Sequence, residues 1–129
     1  MSKEKERLLI ILSTGKQDHG AKATLAFAFA CSALSMGADV AMYVTMDGTI
    51  WGLKEAAKGV CMPGFEPLES YINQFQDLGG KIYVCPPCVE YYCSVDKKLV
   101  VQGLRGGAEV TGMATAFHFI EHNGRVVTF

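Results

Sequence analysis

Five consecutive apolar residues, Leu8 to Leu12, stand between Arg7 and Ser13 with no polar residue among them. A strand with one face in water alternates apolar and polar side chains. A short run without alternation needs both faces covered, as in a parallel sheet flanked by helices. Ala38 to Thr45 reads as a second strand, and Lys81 to Cys85 as a third buried one that Pro86 and Pro87 bring to a stop. Between the first two lies an Ala- and Leu-rich helix, Ala21 to Met36, with Gly37 placed to be its left-handed terminating residue. Ile50 to Ala57 is expected to be a short helix. Glu66 to Leu78 is expected to be a longer one, with Pro67 in its first turn and Gly79 and Gly80 after it. Val89 to Tyr92 reads as a helical turn, Val110 to His122 as a helix and Arg125 to Phe129 as a last strand. This alternation predicts an α/β fold with a parallel sheet and right-handed crossovers.

The chain of 129 residues is the size of one domain, spanning 1–129. It is 50% hydrophobic and 19% charged, which excludes a disordered chain. The formal net charge is -1, with no basic stripe, so no nucleic-acid partner is expected. The richest apolar stretch, Ala23 to Met36, is short of the roughly 20 residues that span a bilayer. No targeting segment is evident, and the expected location is cytoplasmic. The five cysteines are odd in number, which suits reduced thiols better than a disulfide framework.

Ligands of an open parallel sheet bind beyond the carboxyl ends of its strands. Three loops leave such ends: Thr14 to Gly20, Met46 to Thr49, and Cys85 to Cys93. The last holds Cys85, Cys88 and Cys93 within nine residues. A helical turn after Cys85 would direct N–H groups at its sulfur and lower its pKa, favouring the nucleophilic thiolate. The sulfur is therefore expected at the rim, open to solvent and anionic. Cys31 and Cys61 read as small core residues.

Three chemistries fit the cluster. Cys85-Pro86-Pro87-Cys88 is a C-x-x-C motif, as in thiol–disulfide oxidoreductases, although no later proline is present to face it as a thioredoxin fold requires. Three thiolates with Cys61 or His19 make a zinc set, but only one C-x-x-C pair exists where structural sites commonly use two. The third chemistry is a sulfur carrier. Lys16 and His19, on the first rim loop, are candidate substrate-binding residues. Trp51, Tyr91 and Tyr92 are expected to pack. His118 and His122 stand four apart without a recognised metal motif, and no phosphate-loop pattern surrounds Gly15 and Lys16.

The ordered set of segments resembles the DsrE/DsrF-like family of sulfur-relay proteins. The resemblance is carried by Leu8 to Gly15, by Ser35 to Val40, by Gly80 to Cys88, by Gly107 to Ala114 and by Arg125 to Phe129. It implies a three-layer α/β/α domain of Rossmann- or flavodoxin-like type, with a mostly parallel five-stranded sheet, assembled as a homotrimer or homohexamer. It implies a cysteine persulfide at the position of Cys85, with sulfane sulfur or thiosulfate as cargo. The implied partner is a TusA-like protein or another thiol donor or acceptor. No cofactor and no metal are implied. Relay subunits carry one cysteine at this place, so Cys88 and Cys93 are additions. Either can resolve a persulfide by attacking it, which keeps open a thiol–disulfide redox role. A non-catalytic oligomeric scaffold is the other alternative.

Overall fold

A computed structural model describes residues 5–93 and 103–129. The strands are β1 (Arg7–Leu12), β2 (Asp39–Val44), β3 (Lys81–Val84), β4 (Ala108–Val110) and β5 (Arg125–Thr128). The helices are α1 (Ala21–Ser35), α2 (Leu68–Asp77), α3 (Pro86–Cys93) and α4 (Met113–Ile120). The sheet runs β4-β3-β2-β1-β5, and every neighbouring pair is parallel.

This order fixes the layers. The chain steps from β1 to β2 to β3 in one direction through α1 and α2, so right-handed crossovers put both helices on one face. It then returns from β4 across the sheet to β5 through α4, which must lie on the other face. Alternate strand residues divide accordingly. Ile10, Leu12, Met42, Val44, Ile82 and Val84 pack against Phe27 and Ala30 of α1 and Ile72 and Phe75 of α2. Phe27 and Phe75 meet edge to face, with ring centroids 5.5 Å apart. Leu9, Ala41, Tyr43, Tyr83 and Cys85 point the opposite way, toward Cys88 and Ala116.

Several expectations are met closely. Helix α1 ends one residue before the predicted limit, and Gly37 is left-handed at φ 97°. Trp51 is fully buried, its Nε1 donating to the Thr14 carbonyl at 2.8 Å. Three readings need correction. The segment expected as a helix over 50–57 is instead a 3-10 stretch, Met46–Gly52, followed by turns. The last helix starts at Met113, not Val110, because Ala108–Val110 pairs with β3 as an edge strand. Cys61 is exposed, not a core residue.

Candidate active site

The carboxyl ends of β1, β2 and β3 share one rim, as the parallel sheet requires. Their loops are bonded to one another: the Thr45 N–H donates to the Leu12 carbonyl, Gly48 to Ser13, and Cys85 to Val44. The Cys85 carbonyl in turn accepts the Val89 N–H at 3.0 Å, the first bond of α3. Cys85 is therefore the N-cap of that helix. Prolines fill the next two positions, where a missing N–H and a fixed φ are well tolerated at the helix start. They also remove the first two free donors that a helix start would otherwise present. The N–H of Cys88 is left to bond the Cys85 sulfur, the usual reach of an N-cap side chain.

Burial opposes ionisation of Cys85, which is 4% exposed. Hydrogen bonds outweigh it. The Thr45 hydroxyl and the Cys88 thiol and N–H, with a smaller effect from the nearby Tyr43 hydroxyl, bring the Cys85 thiol below its ordinary 9.0. None of these groups is charged. Cys88, 8% exposed, accepts the Met46 N–H at 3.1 Å, and its sulfur lies 3.4 Å from Thr45 Oγ1. The chain Met46 N–H to Cys88 sulfur to Cys85 sulfur polarises in one direction. Met46 has a left-handed backbone, φ 51°. That conformation costs a non-glycine residue on the order of 1–3 kcal/mol, and His19 and Asn123 share it.

Tyr43, on β2 directly beside Tyr83 of β3, is 2% exposed. Burial and the neighbouring Cys85 raise its phenol, which keeps its proton. Its hydroxyl acts on the Cys85 sulfur across the cluster, yet it makes no hydrogen bond of ordinary geometry. A buried polar atom left so costs about 1–3 kcal/mol.

The expectation of an exposed sulfur at residue 85 is overturned. The rim position holds and the lowered thiol agrees with an anion, but the side chain is 4% exposed and belongs to the buried cluster of Tyr43, Tyr83, Cys88 and Ala116 on the α4 face. Cys93 closes α3, and its side chain lies outside the described residues. The helix rise puts its backbone about 12 Å along the axis from Cys85, beyond the Cα separation a disulfide spans. Cys88, three residues on, is within that range. Lys16 and His19 are not gathered with these thiols. They line a cavity of about 340 Å³ with Lys58, Val60, Cys61 and Met62. The zinc set is thereby divided: His19 and Cys61 share that cavity, while Cys85 and Cys88 pack on the α4 face. No group of three or more His, Cys, Asp or Glu able to hold a metal occurs among the described residues. His118 and His122 are exposed, and His118 Nδ1 lies 2.7 Å from Glu121 Oε1. Tyr91 is exposed. Tyr43, Thr45 and the Met46 N–H escaped the sequence reading, because only strand register brings them to the cysteines. The one local signal was a hydroxyl residue, Thr45, at the end of a predicted strand.

Comparison with known proteins agrees with this architecture. E. coli YchN superposes with a TM-score of 0.72 at 12% identity, covering 96% of this chain and 99% of its own. BT1422 of Bacteroides thetaiotaomicron, described as a conserved protein of unknown function, gives 0.58 at 15% identity, with 95% and 94% covered. At such identities the likeness shows the fold alone. No curated protein matches the chain. The model of the DsrE/DsrF-like family matches residues 6–129. With a family match over nearly its whole length and a five-stranded parallel sheet between helical layers, the chain belongs to the DsrE/DsrF-like family.

Proposed function

We propose that this protein is a sulfur carrier that loads sulfane sulfur on Cys85 and hands it to a thiol partner of the TusA type. Family membership implies a sulfur-relay-type protein. The observation that carries the finer reading is the N-cap sulfur of Cys85, lowered in pKa against its burial by four surrounding donors. In the loading step the Cys85 thiolate attacks the outer sulfur of a persulfide or thiosulfate. The donor's S–S bond breaks, and its electron pair leaves on a thiolate or on sulfite. In the unloading step an acceptor thiolate attacks the outer sulfur, and the pair returns to Cys85. Burial keeps the loaded sulfur from water and from stray thiols. Lys16 and His19, in their separate cavity, fit a role in meeting an anionic donor rather than in holding the sulfur.

Cys88 favours a second reading of the same pair. Its thiolate attacking Sγ of a Cys85 persulfide would form the Cys85–Cys88 disulfide and expel hydrosulfide, after which a thiol reductant resets the site. Such chemistry belongs in a reducing compartment, the cytoplasm. Among the described residues no helix is long and apolar enough to cross a membrane.

Intact-mass measurement after incubation with thiosulfate, polysulfide or a small persulfide tests both. The carrier predicts a reducible gain of one or more sulfur atoms, lost in Cys85→Ser. A mass lower by two hydrogens, without any sulfur gain, replaces the carrier by the redox reading. No change with any donor overturns both and leaves the scaffold.

A further inference from the structure

Two side-chain polar atoms among the described residues are buried without a hydrogen bond: Thr49 Oγ1 and the hydroxyl of Tyr43. The second belongs to the cysteine cluster, where a phenylalanine would fill the same space with no orphaned donor. Three other groups at the pair are already engaged. The Cys88 N–H caps Sγ of Cys85, the Met46 N–H is spent on Cys88, and the Thr45 hydroxyl lies against the Cys88 sulfur. Cys85 and Cys88 belong to the core cluster on the α4 face of the sheet, whose other buried members are Leu9, Ala41, Tyr43, Tyr83 and Ala116. The groups acting on its ionisation are Thr45, Cys88 and Tyr43. A negative sulfur here thus depends on neutral donors, and one of them is uncommitted.

We propose that the Tyr43 hydroxyl is a reserve donor that closes a hydrogen bond only when residue 85 bears a charged sulfur, either the thiolate or the outer sulfur of a persulfide. The inference deepens the carrier reading and rests on it for the persulfide alone. Loading places the charge on an atom about 2 Å beyond Sγ. The donors bound to Sγ and to Cys88 cannot follow it without breaking bonds already made, whereas the phenol has none to break. Burial raises the phenol, so it remains a donor throughout the range in which the thiolate forms.

Tyr43→Phe tests this in the full chain. The thiolate of Cys85 is followed by absorbance near its ultraviolet band and by the pH dependence of alkylation, with Cys85→Ser as the blank. Loss of one hydrogen bond to an anion predicts about a tenfold smaller thiolate fraction below the midpoint. Thermal melts give a second readout. In reduced protein at acid pH the substitution is expected to leave the midpoint unchanged or raised, because it deletes an unsatisfied group. Above pH 9 it is expected to lower it, and only when Cys85 is present. An unmoved thiolate titration, or a melt shift of equal size in the Cys85→Ser background, overturns the proposal. Sulfur loading read by mass on the same samples separates the two ideas. A wild-type protein that loads no sulfur but shifts its thiolate on Tyr43→Phe defeats the carrier and upholds Tyr43. A protein that loads normally with an unmoved thiolate does the reverse.

Discussion

Two buried thiols in one small domain are driven in opposite directions. Cys31, on α1, donates to the Tyr71 carbonyl at 3.3 Å, an acceptor that favours the neutral thiol. Burial raises it, and the Glu66 charge adds to the effect. Cys85 is as hidden but has donors where Cys31 has an acceptor, and it is lowered. The consequences for stability have opposite signs. Cys85 sheds its proton earlier in the folded chain than in the unfolded one. It therefore contributes stability that is full above the unfolded value near 9.0 and is lost as pH falls through its lower folded value. Cys31 subtracts stability once the unfolded thiol ionises. A whole-protein pH profile mixes the two, so the difference between wild type and Cys85→Ala is the useful quantity. That difference is expected to grow in favour of wild type from pH 6 to 9, measured by denaturant midpoints at constant salt. Thr45→Val, which removes one donor and keeps the side chain's shape, is expected to raise the Cys85 midpoint by about one unit, since a hydrogen bond to a charged group is worth about 1.5–3 kcal/mol. Alkylation rate against pH reads that shift.

The loops that carry the donors pack backbone against backbone, with no room for a side chain at two glycines. A Cβ on Gly48 would lie 2.2 Å from the Leu12 carbonyl oxygen, and one on Gly15 would lie 2.5 Å from that of Asp47. Both obstructions are backbone, so neither can yield cheaply. Gly48→Ala is expected to cost about 1–3 kcal/mol by overpacking, and to slow Cys85 alkylation by displacing Thr45 and Met46. Urea unfolding and labelling rate check the two halves separately. These contacts were not legible in the sequence, where Met46 to Thr49 read as one of three rim loops without any sign of its close backbone packing. What was legible followed from long patterns: the unalternated strand β1, the 15-residue α1 with Gly37 behind it, and β3 cut off by two prolines. Strand β4 was not, because three residues, two of them exposed, carry no period to detect. The fifth strand was available only from the family resemblance. The cysteine pair was visible as a spacing, but its burial was not. Burial depends on α4 crossing the sheet, which is a matter of strand order.

At the scale of the whole molecule the two faces of the sheet are unequally covered. On one side α1 and α2 bury Phe27, Ile72 and Phe75 completely. On the other, α4 buries only Ala116, although its eight residues, Met-Ala-Thr-Ala-Phe-His-Phe-Ile, are mostly apolar. Met113 and Phe117, one helical turn apart, are 67% and 65% exposed, with Val110 beside the helix start at 46%. Each large side chain of this kind gains about 1.5–3 kcal/mol on burial. A homotrimer or homohexamer, as the family resemblance implies, would give these residues a second copy to pack on. It would also place a subunit boundary against the helix that roofs Cys85, so that access to the sulfur and assembly become linked. Phe117→Glu puts a charge in the middle of that strip without touching the core, since neither side chain packs inward. Light scattering across micromolar concentrations is expected to show an oligomer for wild type and a smaller species for Phe117→Glu, with the fold kept by circular dichroism. Leu25→Glu on the outer face of α1, where Leu25 is 49% exposed, is the matched control for charge alone and is expected to leave the assembly intact. If wild type runs as a monomer, or if Leu25→Glu dissociates it and Phe117→Glu does not, the outer side of α4 is free surface. A partner must then reach Cys85 through α4 rather than past a neighbouring subunit.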